Sequence, residues 1–485
     1  MSDAQRRRIL SETARFAALQ TAASLYVWAT TLLLTRWLAP HDYGVYGIGS
    51  FFLGLGALLG DGGLGAALLR QKEKPTEGEY RATVTFLIAV GALCSAAFFV
   101  AAPWIGPRYR LAPHEVRVLR AMAPLFLVSS IRSVPYLRMQ RELAFSRIGR
   151  IELITQLVKQ SLALALAATL GGVWTLVGAQ LAGAAVQLTL AWVAAPGFPG
   201  VGFERGVLRR LLGYGVKVQA LSIVAFFKDN LSPVVLGRVL GPSAVGLFDF
   251  GVKYAQVPVV AVNALSRVQL PLYARLEPRD PLLYDAVRGA TRTALLAGLP
   301  ILVAMTVSAP AVIGAVYGSR WLASLPVVAG MAANMAGGLV AGPLFTLLQA
   351  QGRAGLALRV FALWTLATWA LALAAWPLGI GAVALGFSAA TLAVTALLVR
   401  WSGAHLGRSL APAYAGPYLA ALIATLATLE VQGLPNLARV IPSPVSRALL
   451  SLLIQAGALS ALEGARPWRE LRAAVRALRA KGDQS

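Results

Sequence analysis

The chain has 485 residues, 57% hydrophobic and 13% charged, with a mean hydropathy of +0.67 and a net charge of +24. Soluble globular proteins carry about 25% charged residues, so this composition excludes an ordinary soluble enzyme. The basic excess lies between long apolar runs rather than as a stripe on a soluble domain, which also excludes a nucleic-acid partner.

Many of the apolar runs reach about 20 residues, enough to cross a hydrocarbon core of ~30 Å. Each crossing must satisfy its own backbone in lipid, and these runs lack strict alternation, so they read as helices. The first, at 14–36, follows Arg6, Arg7 and Arg8. It is too long for a signal peptide and lacks a small-residue cleavage site, so it counts as a membrane helix. Further spans are expected near 42–69, 82–106, 117–137, 147–170, 173–195, 211–237 and 243–266. The rest fall near 286–317 (broken about Pro310), 321–350, 355–377, 379–400, 411–430 and 445–463. The reading is an all-α polytopic membrane protein with about fourteen transmembrane helices. Its longest connections, 196–210 and 267–285, are too short to hold an extramembrane catalytic domain. The single cysteine, Cys94, lies inside an apolar run, so no disulfide framework is expected.

With the N-terminus inside, about 31 of the 44 basic residues fall in cytoplasmic segments and about 9 in external ones. That asymmetry places both termini in the cytoplasm, against one dissenting loop with Arg108, Arg110, Arg117 and Arg120. After Glu463 the tail sets Trp468, Leu471, Val475 and Leu478 opposite Arg469, Arg472, Arg476 and Arg479. This spacing predicts an amphipathic helix at the membrane surface, suited to anionic lipid.

A duplication organises the chain. RWLAPHDYGVYG at 36–47 and RVLGPSAVGLFD at 238–249 align Arg36, Pro40 and Gly44 with Arg238, Pro242 and Gly246 at an offset of 202. A second echo links LGGVWTLVG at 170–178 with LGIGAVALG at 378–386. Six crossings per half give the repeats one orientation and a pseudo-twofold axis along the membrane normal, a transporter architecture with the substrate path between halves. The expected organisation is a six-helix bundle over 1–195, a cytoplasmic linker at 196–210 and a second bundle over 211–400. Two appended helices at 401–463 and a basic tail at 464–485 complete it.

Three stretches carry a family resemblance: SVPYLRMQRELAFSRIGRIE (133–152), LAPHDYGVYGIGSFFLGLGALLGDGGLGAALLRQ (38–71) and YGSRWLASLPV (317–327). In order and spacing they resemble bacterial polysaccharide transporters of the Wzx type, in the multidrug/oligosaccharidyl-lipid/polysaccharide (MOP) exporter superfamily. The resemblance runs from about residue 14 to 400. It implies two six-helix bundles forming a V around a cavity, often with two more helices. It also implies movement of an undecaprenyl-pyrophosphate-linked glycan across a bacterial cytoplasmic (inner) membrane, in company with other polysaccharide assembly proteins. Relatives often carry an Asp-Asn pair where this chain has Ser232 and Pro233, so no family-defined site on the seventh helix is carried over.

An intramembrane charge is costly unless paired or hydrated, and therefore marks a functional candidate. Phosphate oxygens want Arg or Lys donors, which nominates Lys159, Lys228, Lys253 and Arg132 for a cationic cavity. The acidic candidates for a coupling proton or sodium ion are Asp229, Asp249, Asp61 and Glu152. Asp249 and Lys253, four apart, can pair on one helical face. Each candidate has an alternative reading as a local ion pair or snorkelling side chain. Tyr26 and Trp28 are candidates for stacking on sugar, or ordinary packing. No catalytic residue, phosphate-binding loop, metal cluster or resident cofactor is expected, and His41, His114 and His405 are scattered. A drug exporter or a peptidoglycan-precursor flippase of the same fold is the alternative. A membrane glycan polymerase or ligase fits less well, because it needs a sizeable external loop.

Overall fold

The computed structural model describes residues 3–71, 75–195, 197, 200–202, 204–433 and 443–472. Among these residues there are helices and connections but no strand, as segments that satisfy their backbone internally require. The chain forms two compact units, Met1–Gly246 and Leu247–Ser485.

The first unit holds α1 (Asp3–Trp37), α2 (Pro40–Asp61), α3 (Leu64–Arg70), α4 (Glu77–Arg108), α5 (Pro113–Met122) and α6 (Pro124–Arg141). It continues with α7 (Phe145–Thr169), α8 (Gly172–Ala194), α9 (Arg205–Asp229), a π turn at Ser232–Leu236 and the short α10 (Gly237–Val239). Helix starts follow local chemistry. Pro40, Pro113 and Pro124 stand where a missing N–H costs nothing. The Asp42 and Glu115 carboxylates accept from the Ala39 and Ala112 amides at 2.8 and 2.7 Å, and Thr76 and Glu79 close a reciprocal capping box. Within the unit α1 packs along α7, α7 on α8, and α4 on α6.

The second unit begins within α11 (Pro242–Tyr273). It holds α12 (Pro281–Val312), a π turn at Ile313–Tyr317, a 3₁₀ turn at Ser319–Ser324 and α13 (Leu325–Ala350). Then come α14 (Ala354–Ala375), α15 (Ile380–Leu406), α16 (Pro412–Gly433) and α17 (Pro444–Glu463). Helix α13 packs on α15 and α12, while α16 and α17 pack on each other and on α12. The core contains Leu295, Leu299, Leu344, Leu347 and Leu398, all nearly inaccessible.

Twelve segments among the described residues are long and apolar enough to cross a membrane, six in each unit. The chain is a multi-pass membrane protein. The expected count of fourteen includes spans at 211–237 and 243–266. There α9 and α11 are helices of 25 and 32 residues, outside those twelve.

The two units divide inside α11, and the linker expected at 196–210 lies partly outside the described residues. Helix α9 packs on α2, α3 and α4, and Gln219 donates to the Leu58 carbonyl, so residues 205–246 cluster with the first unit. The duplicated turns also meet there. A Cβ on Gly44 would strike the Pro242 carbonyl, and one on Gly246 the Pro40 carbonyl. His41 Nδ1 and Ser243 Oγ lie 3.3 Å apart, again 202 residues distant in sequence. A contact in which each copy offers the other the same atom is the signature of twofold-related elements.

The tail is helical at 466–472. Trp468 Nε1 donates to Ser460 Oγ at 2.8 Å, and Leu471 packs against Leu296, Ala420 and Leu459. Leu471 is thus turned to protein rather than lipid. Val475, Arg476, Leu478 and Arg479 of the expected tail helix lie outside the described residues. A buried ion cluster docks this turn: Arg292, 3% exposed, reaches Glu463 and Glu470 as well as the Ala413 carbonyl at 2.8 Å.

Candidate functional site

Two stripes of polar side chains run along helices of the first unit. On α7, Glu152, Thr155, Gln156 and Lys159 recur at intervals of three and four and share one face. On α8, Gln180, Gly183 and Gln187 do the same. Since α7 and α8 pack together beside α1 and α6, these faces converge. They enclose a cavity of about 330 Å³, completed by Gln20 of α1. A second cavity of about 230 Å³ shares the Gln180, Ala184 and Gln187 wall and adds Ser129 and Arg132 of α6.

The polar groups are fixed by one another. Arg132 Nη1 donates to Gln187 Oε1 at 2.7 Å, and Gln187 Nε2 donates to Tyr136 Oη at 2.9 Å. The Arg132 guanidinium also stands 5.2 Å from the Tyr136 ring centroid, a cation–π distance. Gln20 donates its amide to Glu152, and Tyr46 donates to Gln180 Oε1 at 3.1 Å. A Cβ on Gly183 would sit 3.1 Å from Lys159 Cβ, so the bare glycine lets α8 lie against the lysine stem. The Thr155 hydroxyl is buried, with no hydrogen-bond partner among the described residues.

Of the expected residues, the structure brings Arg132, Glu152 and Lys159 to this one pair of cavities. Lys228 is half-buried in the last turn of α9, elsewhere in the first unit. Lys253 is exposed on α11, one turn beyond the half-buried Asp249, in the second unit. The side chains of Asp61 and Asp229 lie outside the described residues. Tyr26 shares a 2.7 Å hydrogen bond with Ser161, and Trp28 is exposed. The turn residues Pro40, Gly44, Pro242 and Gly246 meet as described above, with Arg36 and Arg238 closing the preceding helices.

Charge alone does not single out Gln20, Thr155, Gln156, Gln180 and Gln187. Their signal was present as polar residues at helical spacing inside apolar runs. A search for intramembrane amides would have found the stripe.

Chemically the cavities offer two cations, one carboxylate, and amide and hydroxyl groups that both donate and accept. Such a wall offers hydrogen-bonding partners to a polar solute at a depth where hydrocarbon would offer none.

A sequence model of the family described as "Polysaccharide biosynthesis protein" matches residues 33–326. The teichuronic acid biosynthesis protein TuaB of Bacillus subtilis (strain 168) is 23% identical over 300 residues, 61% of this chain and 62% of TuaB. The lipopolysaccharide biosynthesis protein WzxC of Escherichia coli (strain K12) is 23% identical over 330 residues, 67% of each chain. The succinoglycan biosynthesis transport protein ExoT of Rhizobium meliloti (strain 1021) is 23% identical over 302 residues, 62% of this chain and 61% of ExoT. The chain spans less than two thirds of the length of TuaB and of ExoT. Among solved structures, the lipid II flippase MurJ in an inward closed conformation superposes with a TM-score of 0.74. The match has 11% identity and covers 92% of this chain and 98% of MurJ. An inward-facing multidrug resistance MATE family transporter of the MOP superfamily gives 0.57 at 15% identity, over 78% and 94% of the two chains. At these identities the likeness is one of fold.

Proposed function

The chain belongs to the polysaccharide biosynthesis protein family, and from that premise we propose that it flips a polyprenyl-pyrophosphate-linked oligosaccharide from the inner to the outer leaflet. The observation that carries this reading is the amide-lined cavity holding Arg132, Glu152 and Lys159 inside a membrane-spanning bundle. Polar groups at this depth are costly, and their convergence supports a hydrophilic cargo. The names of TuaB, WzxC and ExoT, tied to the biosynthesis of teichuronic acid, lipopolysaccharide and succinoglycan, support a glycan over a drug. The likeness to MurJ supports a fold able to move a lipid-linked headgroup, while the family match favours a polysaccharide precursor over the peptidoglycan one.

The mechanism proposed is alternating access, with fixed cations in water receiving the anionic headgroup on one side and releasing it on the other. Arg132 and Lys159 act in the first-unit cavity, and Lys228 and Lys253 are further cationic contacts. Partly hydrated lysines suit release better than a buried bidentate clamp would, because each holds the cargo as a point charge. Glu152, Asp249, Asp61 and Asp229 are the groups through which a proton or sodium ion could drive the cycle. The membrane is the bacterial cytoplasmic membrane, with both termini inside. Basic tail residues such as Arg469 and Arg472 face anionic lipid.

Complementation of a flippase-null strain tests the reading. Lys159→Ala, Lys228→Ala and Lys253→Ala are expected to lower surface glycan while membrane abundance stays at the parental level. Parental export by all three variants would rule out the cationic mechanism.

A further inference from the structure

In the second unit, side chains of α13, α15 and α16 line a groove of about 470 Å³. Its lip is exposed at Leu392, Ala396 and Arg400 of α15, so it opens sideways rather than into the core. The walls are Val340, Leu392, Ala396 and Val399 with Tyr414 and Tyr418. Its hydroxyls are not on offer. Thr395 Oγ1 donates to the Thr391 carbonyl and Tyr418 Oη to the Ala336 carbonyl, both at 2.7 Å, and the Tyr414 hydroxyl is buried. What remains is an apolar slot with one charge, Arg400, at the end nearer the α15 C-terminus.

These walls give Arg400 no counterion. Helices α13 and α15 carry no Asp or Glu, and α16 carries only Glu430. Glu430 lies about 18 Å along its helix from Tyr418. The ion pairs of the second unit among the described residues use Arg288, Arg292 and Arg466 instead. Depth is the second constraint. With 27 residues α15 is about 40 Å long, so it overhangs a ~30 Å hydrocarbon core by about 5 Å at each end. Arg400 stands about 9 Å short of the helix end at Leu406. That places its Cα just inside the hydrocarbon boundary, with a headgroup phosphate within reach of its long side chain. The chain's own 473–485 segment has the wrong sign to fill the groove, since it sets Arg476, Arg479 and Lys481 against Asp483 alone.

We propose that this groove is a site for a resident anionic phospholipid of the cytoplasmic leaflet, distinct from the cargo. One acyl chain lies along Leu392, Ala396 and Val340 between the tyrosine rings, and the phosphate sits on the Arg400 guanidinium. Basic pockets between membrane helices on the cytoplasmic side hold anionic headgroups in this way. The leaflet follows from the charge-based orientation, which turns the C-terminal end of α15 to the cytoplasm. The bound lipid ties α13, α15 and α16 together from outside, so it stabilises the second unit by mass action.

The test uses the full chain purified in detergent, with phosphatidylglycerol, phosphatidylcholine, inorganic phosphate and undecaprenyl phosphate as probes. Native mass spectrometry counts the lipid retained per chain across a titration, and the unfolding midpoint is followed in parallel. One phosphatidylglycerol should bind at least about tenfold more tightly than phosphatidylcholine, and inorganic phosphate, which has no chain for the groove, should not displace it. Arg400→Gln should weaken that lipid by about tenfold or more, the worth of a hydrogen bond to a charged group, while Arg400→Lys keeps the preference. Ala396→Trp, at an exposed position, fills the slot. It should remove the tight site while the lipid-free midpoint stays parental, and phosphatidylglycerol should then raise the midpoint of the parent alone. Equal binding of the two phospholipids, displacement by inorganic phosphate, or parental affinity in Arg400→Gln would each overturn the proposal. Displacement by undecaprenyl phosphate at lower concentration would assign the groove to the cargo carrier and overturn it too. So would tighter phosphatidylglycerol binding after deletion of residues 473–485, which would make the tail the occupant.

Discussion

Arg292→Met tests whether the second unit depends on one buried cation. Arg292 is 3% exposed, and four hydrogen bonds use its guanidinium: one from Nε to Glu470, two from Nη1 to Ala413 and Glu463, and one from Nη2 to Glu463. Arg288 and Arg466 flank the same Glu470 at 3.9 and 3.2 Å. Methionine fills much of the volume but leaves the Glu463 carboxylate, 15% exposed, without its cation. Breaking a buried pair by removing one partner costs about 3–5 kcal/mol, a large part of a typical stability of about 5–15 kcal/mol. The assay is thermal unfolding of the purified protein in one detergent, with limited proteolysis of the tail followed in parallel. Arg292→Met should lower the midpoint by many degrees and expose the 466–472 turn to cleavage. Adding Glu463→Gln and Glu470→Gln should recover most of the loss, because it removes the stranded charges. A single variant within about 0.5 kcal/mol of the parent, the range of an ordinary surface change, would refute the reasoning.

Other expectations follow from contacts with less freedom to adjust. Gly44→Val and Gly246→Val each drive a side chain into a proline carbonyl of the opposite turn. Each should cost about 1–3 kcal/mol or more by overpacking, read as a lower unfolding midpoint, and a parental midpoint in both would contradict the reciprocal contact. Trp321→Ala empties a site 1% exposed whose ring lies 4.6 Å from that of Phe250. A loss of about 3–5 kcal/mol is expected, and a change under 1 kcal/mol would show that the unit closes over the gap. A reporter fused after Ser485 should be active only in a form that works in the cytoplasm. Activity of a periplasm-dependent reporter would reverse the assigned orientation.

The candidate site was legible in part. Arg132, Glu152 and Lys159 stand out in the sequence because ionised groups are rare in apolar runs, and rarity needs no coordinates. That the three face common cavities while Lys228 and Lys253 lie elsewhere depends on helix rotation and packing, which hydropathy does not report. The glutamines were missed because a neutral amide perturbs a hydropathy average little, yet inside a bundle it still needs partners.

The sequence by itself determined that this chain is a bundle of membrane helices, because apolar length and backbone satisfaction admit no other solution. It determined where several helices start, since Pro40, Pro113 and Pro281 act on the residues next to them. It also carried the duplication, because the offset of 202 is written in Pro40 and Pro242 themselves. Only the tertiary structure decided that those turns touch through Gly44 and Gly246. Only it decided that α9 packs in the first unit, and that Arg292 gathers Glu463 and Glu470 from more than 170 residues away. The physical reason is range. Capping and hydropathy act within a helical turn or along one helix, whereas a buried charge or a cavity wall is set by whichever distant helix the packing brings beside it.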